Sequence, residues 1–323
     1  MPPVRPSLRG SLLTGASAFA LSVSASSAHA QAVGSPNGTP ATLTVWAEGA
    51  LFSTGGGSFN VPALPGLAAP FISFNPKSGY EGAVGFDYRW PSQQWHFVFD
   101  FRYGRTGTAT GNSSTFKTFG TSFGVPLTSA TSSHATERET HLVADFMIGR
   151  DLGVGSGTAQ VQFGIRVADL WASAQVQESG QRTFYSHFST VTAMQTATGD
   201  WSSRFFGAGP RLAITGAVPI VGLWSFDYSG GIAGLIGDRS FNASVSNSAG
   251  PGFAASYNNS VFVFNADGWA ALSYLFTPNY KLSGGIRGDF YTAALTTYNV
   301  NTGGLENIDR LYWGPFIRLT GTF

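Results

Sequence analysis

A chain of 323 residues with 42 glycines, 27 phenylalanines and only 11% charged residues is too apolar and aromatic to stay disordered, and too rich in turn formers to be helical. It has no cysteine, which excludes a disulfide framework and any thiolate metal site. A formal charge of +1 excludes the strongly basic balance of a nucleic-acid binder.

In chain order, Arg5 and Arg9 precede an apolar run over 11–23, and Ala28, His29 and Ala30 supply a small-x-small cleavage site. This pattern predicts a secretory signal peptide over 1–30, with the mature chain starting near Gln31. The run is too short to cross a bilayer, and no later segment reaches the roughly eighteen uninterrupted apolar residues of a spanning helix. Losing Arg5 and Arg9 leaves 16 basic and 17 acidic side chains. Residues 31–42 are rich in Gly, Ser, Pro and Asn without periodicity and read as a periplasmic lead-in.

From 43 to 323 the chain alternates with period two in ten stretches: 43–53, 78–90, 95–105, 141–151, 159–171, 201–214, 224–236, 261–276, 280–293 and 308–323. The clearest is the third, where Trp95, Phe97, Phe99, Phe101 and Tyr103 alternate with His96, Val98, Asp100 and Arg102. An unbroken row of aromatics on one strand face requires an apolar surrounding. Connections alternate between short (91–94, 153–157, 216–223, 277–279) and long (54–77, 106–135, 172–200, 237–260, 294–307). These features predict an all-β fold: a transmembrane antiparallel β-barrel of about ten strands, with short periplasmic turns and long extracellular loops. Trp90, Trp95, Trp224, Phe276 and Tyr280 then flank the turns, and Tyr80, Tyr103, Trp171 and Trp201 flank the loops, as interfacial aromatics should. Pro210 and Pro315 fall inside strands, each after a glycine, and predict bulges. The last stretch places Leu311, Trp313, Ile317, Leu319 and Phe323 on one face, and the terminal Phe323 is expected to be the signal read by the barrel assembly machinery.

The opposite parity carries charge of both signs: Glu48, Glu81, Asp87, Asp100, Asp145, Asp227, Asp267 and Asp289 with Arg89, Arg102, Arg166, Arg211, Arg287, Arg310 and Arg318. Charge is costly in hydrocarbon, so this face is the lumen. The residues read either as a polar pore lining or as an ion-paired network filling a narrow barrel. Ten strands lie between the eight that side chains can fill and the sixteen that leave a wide channel.

Segments 82–91 (GAVGFDYRWP), 95–105 (WHFVFDFRYGR), 141–150 (HLVADFMIGR), 207–212 (GAGPRL) and 309–316 (DRLYWGPF) resemble the Legionella-type pore-forming outer-membrane proteins, with likeness across the strands and none seen in the outer loops. The resemblance implies a porin-like channel for small solutes and ions, embedded in outer-membrane lipid. It brings no catalytic residues.

Two other classes compete with a channel. A closed barrel could act structurally or adhesively through its outer loops; the 106–135 loop, dominated by Ser, Thr and Gly, suits solvated mobility. A barrel-embedded hydrolase would draw on His141, Asp145 and Asp169, but no serine elbow or second paired histidine accompanies them. No enzyme activity, cofactor or nucleic-acid partner is expected. The 54–77 loop, with Pro62, Pro65, Pro70 and Pro76, is the segment expected to fold inward as a constriction.

Overall fold

The computed structural model describes residues 41–61, 72–74, 78–91, 94–122, 125–152, 158–186, 189–248, 250–299, 302 and 304–323. The signal peptide, its cleavage after Ala30, most of the lead-in, the four prolines of the 54–77 loop and the 153–157 turn lie outside the described residues. The strands are β1 (Thr42–Gly55), β2 (Phe59–Val61), β3 (Ile72–Phe74), β4 (Gly79–Arg89), β5 (Trp95–Thr106), β6 (Ala109–Ser122), β7 (Val125–Asp151), β8 (Thr158–Ser186), β9 (Ser189–Val221), β10 (Trp224–Asn247), β11 (Gly250–Thr277), β12 (Tyr280–Asn299) and β13 (Gly304–Thr322).

Ten of them form a closed antiparallel ring in the order β1, β4, β5, β7, β8, β9, β10, β11, β12, β13 and back to β1. At the seam the Leu43 N–H donates to the Phe323 carbonyl at 2.9 Å and the Phe323 N–H to the Leu43 carbonyl at 2.8 Å. Closure leaves no unpaired edge in this part of the wall, which is the condition for strands to sit in lipid. Outward positions there carry large exposed apolar side chains all the way round, among them Leu51, Val84, Ile148, Ile165, Leu212, Ile232, Leu272, Ile286 and Ile317. Among the described residues, tight turns join β9 to β10 and β11 to β12 at one end; at Gly222, between β9 and β10, φ is 56°, a conformation that glycine adopts without a Cβ clash.

At the other end the sequence reading is corrected in four places. The long connections expected at 106–135, 172–200 and 237–260 are mostly strand: β6 pairs with the first half of β7, β8 with β9, and β10 with β11 well beyond the belt. With 29 residues in β8 and 33 in β9, these strands are about three times the 9–11 residues that a tilted strand needs to cross a bilayer. The period of two persists there, with Ser129, Thr131, Ser133 and Glu137 buried and Ser132, His134 and Arg138 exposed. On β7 both faces are mostly polar, so hydropathy carries little trace of it, whereas β8 and β10 turn Ala172, Ala174, Val176, Phe241 and Val245 inward. Trp201, expected at the outer interface, faces the lumen and is buried.

Pro210 and Pro315 produce no bulge. The β9–β10 register runs unshifted from Ala233 opposite Arg211 to Ile236 opposite Ala208, and the β1–β13 register from Ala50 opposite Phe316 to Ser53 opposite Trp313. Each strand omits only the rungs next to its proline, which has no N–H to give. A Cβ on Gly209 would lie 1.9 Å from the Gly234 carbonyl oxygen, and one on Gly314 2.0 Å from that of Leu51, so close backbone approach explains the glycine before each proline.

The irregularity falls instead on β12, whose pairing with β13 shifts between Tyr291 and Leu295. Ala293 takes φ of 47° at this point; its N–H donates to Asp309 Oδ1 at 2.7 Å and its carbonyl accepts from Arg239 Nη1 at 2.6 Å. Beyond the shift β12 no longer pairs with β11. The β12–β13 hairpin turns across the lumen, where the Thr296 N–H donates to Ser203 Oγ on β9 at 2.8 Å and Leu295 is fully buried. The described part of 54–77 joins it: the Asn60 N–H donates to Thr297 Oγ1 at 2.6 Å, and Arg310 Nη1 donates to the Gly57 carbonyl at 2.9 Å.

Candidate functional site: the lumen

All fifteen charged residues picked out by parity face the inside of the ring, in step with the buried positions that alternate along each strand. They are arranged in levels. Nearest the tight turns, His96 Nδ1 and Asp87 Oδ1 lie 2.8 Å apart, and Arg89 reaches Asp87 at 3.5 Å and also contacts Asp151. Across the ring, Asp227 accepts from Ser273 Oγ at 2.8 Å and pairs with Lys281 at 2.5 Å. A cup of about 230 Å³ lies within this end, lined by Trp46, Gln160, Thr215, Asp227, Lys281 and Thr320 among others.

The next level is a continuous charge network. Arg166 donates to both carboxylate oxygens of Asp145 at 2.7 Å each, to Asp267 at 2.7 Å and to Asn265 at 2.5 Å. Arg211 joins the same two acids, at 3.1 Å to Asp145 and 2.5 Å to Asp267. Arg102 pairs with Asp289 and, at 3.3 Å, with Asp100. Glu48 takes Arg318 at 2.7 Å and Arg287 at 2.5 Å; Arg287 also takes Glu81 at 2.8 Å, which holds His141 Nε2 at 2.6 Å. Arg318 stacks on the lumen-facing Trp269, 4.7 Å from the ring centre. Several of these pairs cross the lumen, since β5 with Arg102 and β12 with Asp289 are four strands apart around the ring. Buried pairs of this kind contribute little net stability, but removing one partner leaves a stranded charge.

An apolar layer follows, with Phe52, Val143, Leu170, Phe205, Leu235, Tyr291, Leu295 and Tyr312 all buried. The His141 ring lies 4.2 Å from Tyr312 and 5.0 Å from Phe52, centre to centre. Arg310 spans the lumen from β13 to Glu139 on β7, with Nε to Oε2 at 3.1 Å and Nη2 to Oε1 at 2.8 Å. Beside this pair, beyond the apolar belt, Glu137 is 1% exposed. Burial and then the Glu139 carboxylate push its carboxyl up to about 9, with Arg310 opposing them.

The residues considered for catalysis are not brought together. His141 binds Glu81, Asp145 binds Arg166 and Arg211, and Asp169 lies on the outer wall paired with Arg204 at 2.7 Å. Sequence reading missed the apolar layer, because all its members but Leu295 are apolar residues on the inward side of stretches singled out for their charges, and the inward turn at Ala293 leaves no local signature.

No family model and no curated protein matches the chain. Among solved structures it is similar to the outer-membrane protease OmpT of Escherichia coli, with 14% identity, 90% of this chain and 99% of that chain covered, and a TM-score of 0.48. It is also similar to a major outer-membrane protein of Thermus thermophilus, with 10% identity, 88% and 99% covered and a TM-score of 0.35. For the Ralstonia pickettii toluene transporter TbuX the values are 8%, 88% and 89%, and 0.23.

Proposed function

We propose that this chain is an outer-membrane barrel closed by its own last hairpin, acting as a structural or adhesive surface protein through the part of its sheet beyond the apolar belt. The observation that carries this reading is the filled lumen: Arg102 to Asp289 and Arg310 to Glu139 reach across it, and the inward-turned β12–β13 hairpin buries Leu295 and reaches Ser203 on β9. A continuous water path requires those contacts to separate. The ring of exposed apolar side chains supports placement in a bilayer, since surface of that extent is not tolerated in water. The long polar strand extensions would then stand outside the cell and the tight turns in the periplasm.

The second reading is the weakly selective channel for small solutes and ions implied by the family resemblance. The cup at the turn end, lined by both signs of charge, favours it: one half of a water path is already present. Planar-bilayer recording of the refolded chain separates the two. The closed reading expects no steady conductance from the wild type, and steady current steps once residues 295–307 are replaced by a short Gly-Ser turn. Steady steps from the wild type overturn the closed reading in favour of the channel. Fractionation tests the membrane placement by itself, with recovery in the outer membrane expected.

A further inference from the structure

Immediately beyond the belt, the outer face of the wall is hollowed where β7, β8, β9 and β10 run side by side. The hollow has a volume of about 700 Å³ and is framed by Arg138, Trp171, Gln175, Asp200, Ser202 and Asn242. These six side chains point away from the lumen, because their chain neighbours Glu137, Ala172, Ala174, Trp201, Ser203 and Ala243 are the buried ones. On the same strands, toward the tight turns, the outward face becomes apolar, with Phe146 and Ile148 on β7, Phe163 and Ile165 on β8, and Phe206 and Leu212 on β9 all exposed. The hollow therefore sits on the border between greasy and polar wall.

Basic groups gather at that border. Arg138 is exposed, and its Nη2 donates to Thr108 Oγ1 at 3.0 Å, which holds the guanidinium at the edge of the hollow. Arg105 on β5 pairs in register with Thr140, two residues from Arg138, so the two arginines are diagonal neighbours on one face, about 7–8 Å apart at the backbone. Neither forms an ion pair among the described residues. Trp171, 46% exposed, lies opposite Thr140 in the ladder, and Arg204 opposite Trp171 is already neutralised by Asp169. Two free guanidiniums suit a phosphate, which they can grip through paired N–H donors. A half-exposed indole offers a flat face to the C–H side of a sugar ring, and Ser, Asn, Gln and Asp match ring hydroxyls.

We propose that this hollow binds the phosphorylated sugar headgroup of a saccharolipid in the surrounding leaflet. Its phosphate sits on Arg105 and Arg138, a sugar ring lies over Trp171, and its acyl chains run along Phe146, Ile148, Phe163 and Ile165. Continuity with the apolar face selects a lipid over a soluble ligand. The inference rests on the membrane placement proposed above, but its test does not. Refolded wild type in detergent is titrated with purified lipopolysaccharide, with the same material after phosphatase treatment, and with inorganic phosphate, and complexes are counted by native mass spectrometry. Expected are a one-to-one complex and a loss of about tenfold or more in affinity on dephosphorylation, the same loss in the Arg105→Glu, Arg138→Glu double variant, and a smaller loss in Trp171→Ala. A double variant that fails to fold is replaced by the Gln pair, folding being read from heat-modifiable gel migration. Equal affinity of wild type and double variant overturns the proposal, as does millimolar inorganic phosphate displacing the lipid. A chain that binds in this way yet is absent from the outer-membrane fraction refutes the placement and not the hollow.

Discussion

Arg166 has no solvent contact and spends its guanidinium on Asp145, Asp267 and Asn265. Replacing it with Leu leaves Asp145 and Asp267 to share Arg211 in a low-dielectric interior, an excess of one buried negative charge, and is expected to cost about 3–5 kcal/mol in detergent unfolding experiments, whereas Arg204→Leu, an exposed pair on the outer wall, should cost about 0–1 kcal/mol. A network that could re-pair through water would make the two losses equal. Glu137 gives a pH signature. Its folded carboxyl is raised to about 9 by burial and by Glu139, so the folded chain binds the proton more tightly than the unfolded one. Its stabilising contribution is complete below the ordinary carboxylate range and is lost as pH rises through about 9. Unfolding midpoints should fall between pH 5 and pH 9 in the wild type, and Glu137→Gln should flatten that slope. An unchanged slope in the variant would remove Glu137 as its source.

Among the elements, β12 sets the last hairpin across the lumen. Its register shift at Tyr291–Leu295, fixed by Asp309 and Arg239 on the Ala293 backbone, turns an otherwise ordinary hairpin inward. A left-handed φ of 47° penalises an alanine by on the order of 1 kcal/mol, so Ala293→Gly is expected to leave the fold intact and raise stability by up to about that amount. Ala293→Val, β-branched at the same φ, should lower the yield of heat-modifiable barrel on refolding. The strands that hold prolines tolerate them by leaving out the rungs at each proline and its preceding glycine, where the neighbouring backbone passes close to that glycine. A methyl on Gly314 meets the Leu51 carbonyl at 2.0 Å, and Gly314→Ala should impair seam closure, seen as loss of heat-modifiable migration. Wild-type migration in that variant would show that β1 and β13 can move apart without penalty.

For the whole molecule, the outward surface changes from apolar to polar partway along the same strands. Ile165, on the belt part of β8, is 55% exposed, and Ile165→Arg is expected to cost about 2–4 kcal/mol when the barrel is folded into lipid, provided that the site lies near the midplane. Gln177→Arg, twelve residues further along β8 on the same face, should be close to neutral. A similar loss at both positions would place the belt wrongly.

The ring of ten strands was legible because lipid on one side and a polar lumen on the other impose strict alternation, which Trp95 to Tyr103 display residue by residue. The inward set from Glu48 to Arg318 followed from the same parity, since charge has nowhere else to go in a hydrocarbon-facing strand. Hydropathy failed where water lies outside and a polar interior inside, so Ser129 to Ala135 looked like a loop although they continue a strand. Pairing across the ring also left no trace. Arg102 and Asp289 are 187 residues apart, and only closure of the sheet brings them together. Parity assigned each charge to the lumen, but only the tertiary structure decided what those charges meet: ring closure brings Arg102 to Asp289, and the inward turn of β12 at Ala293, held by Arg239 and Asp309, lays the last hairpin against β9 beyond them.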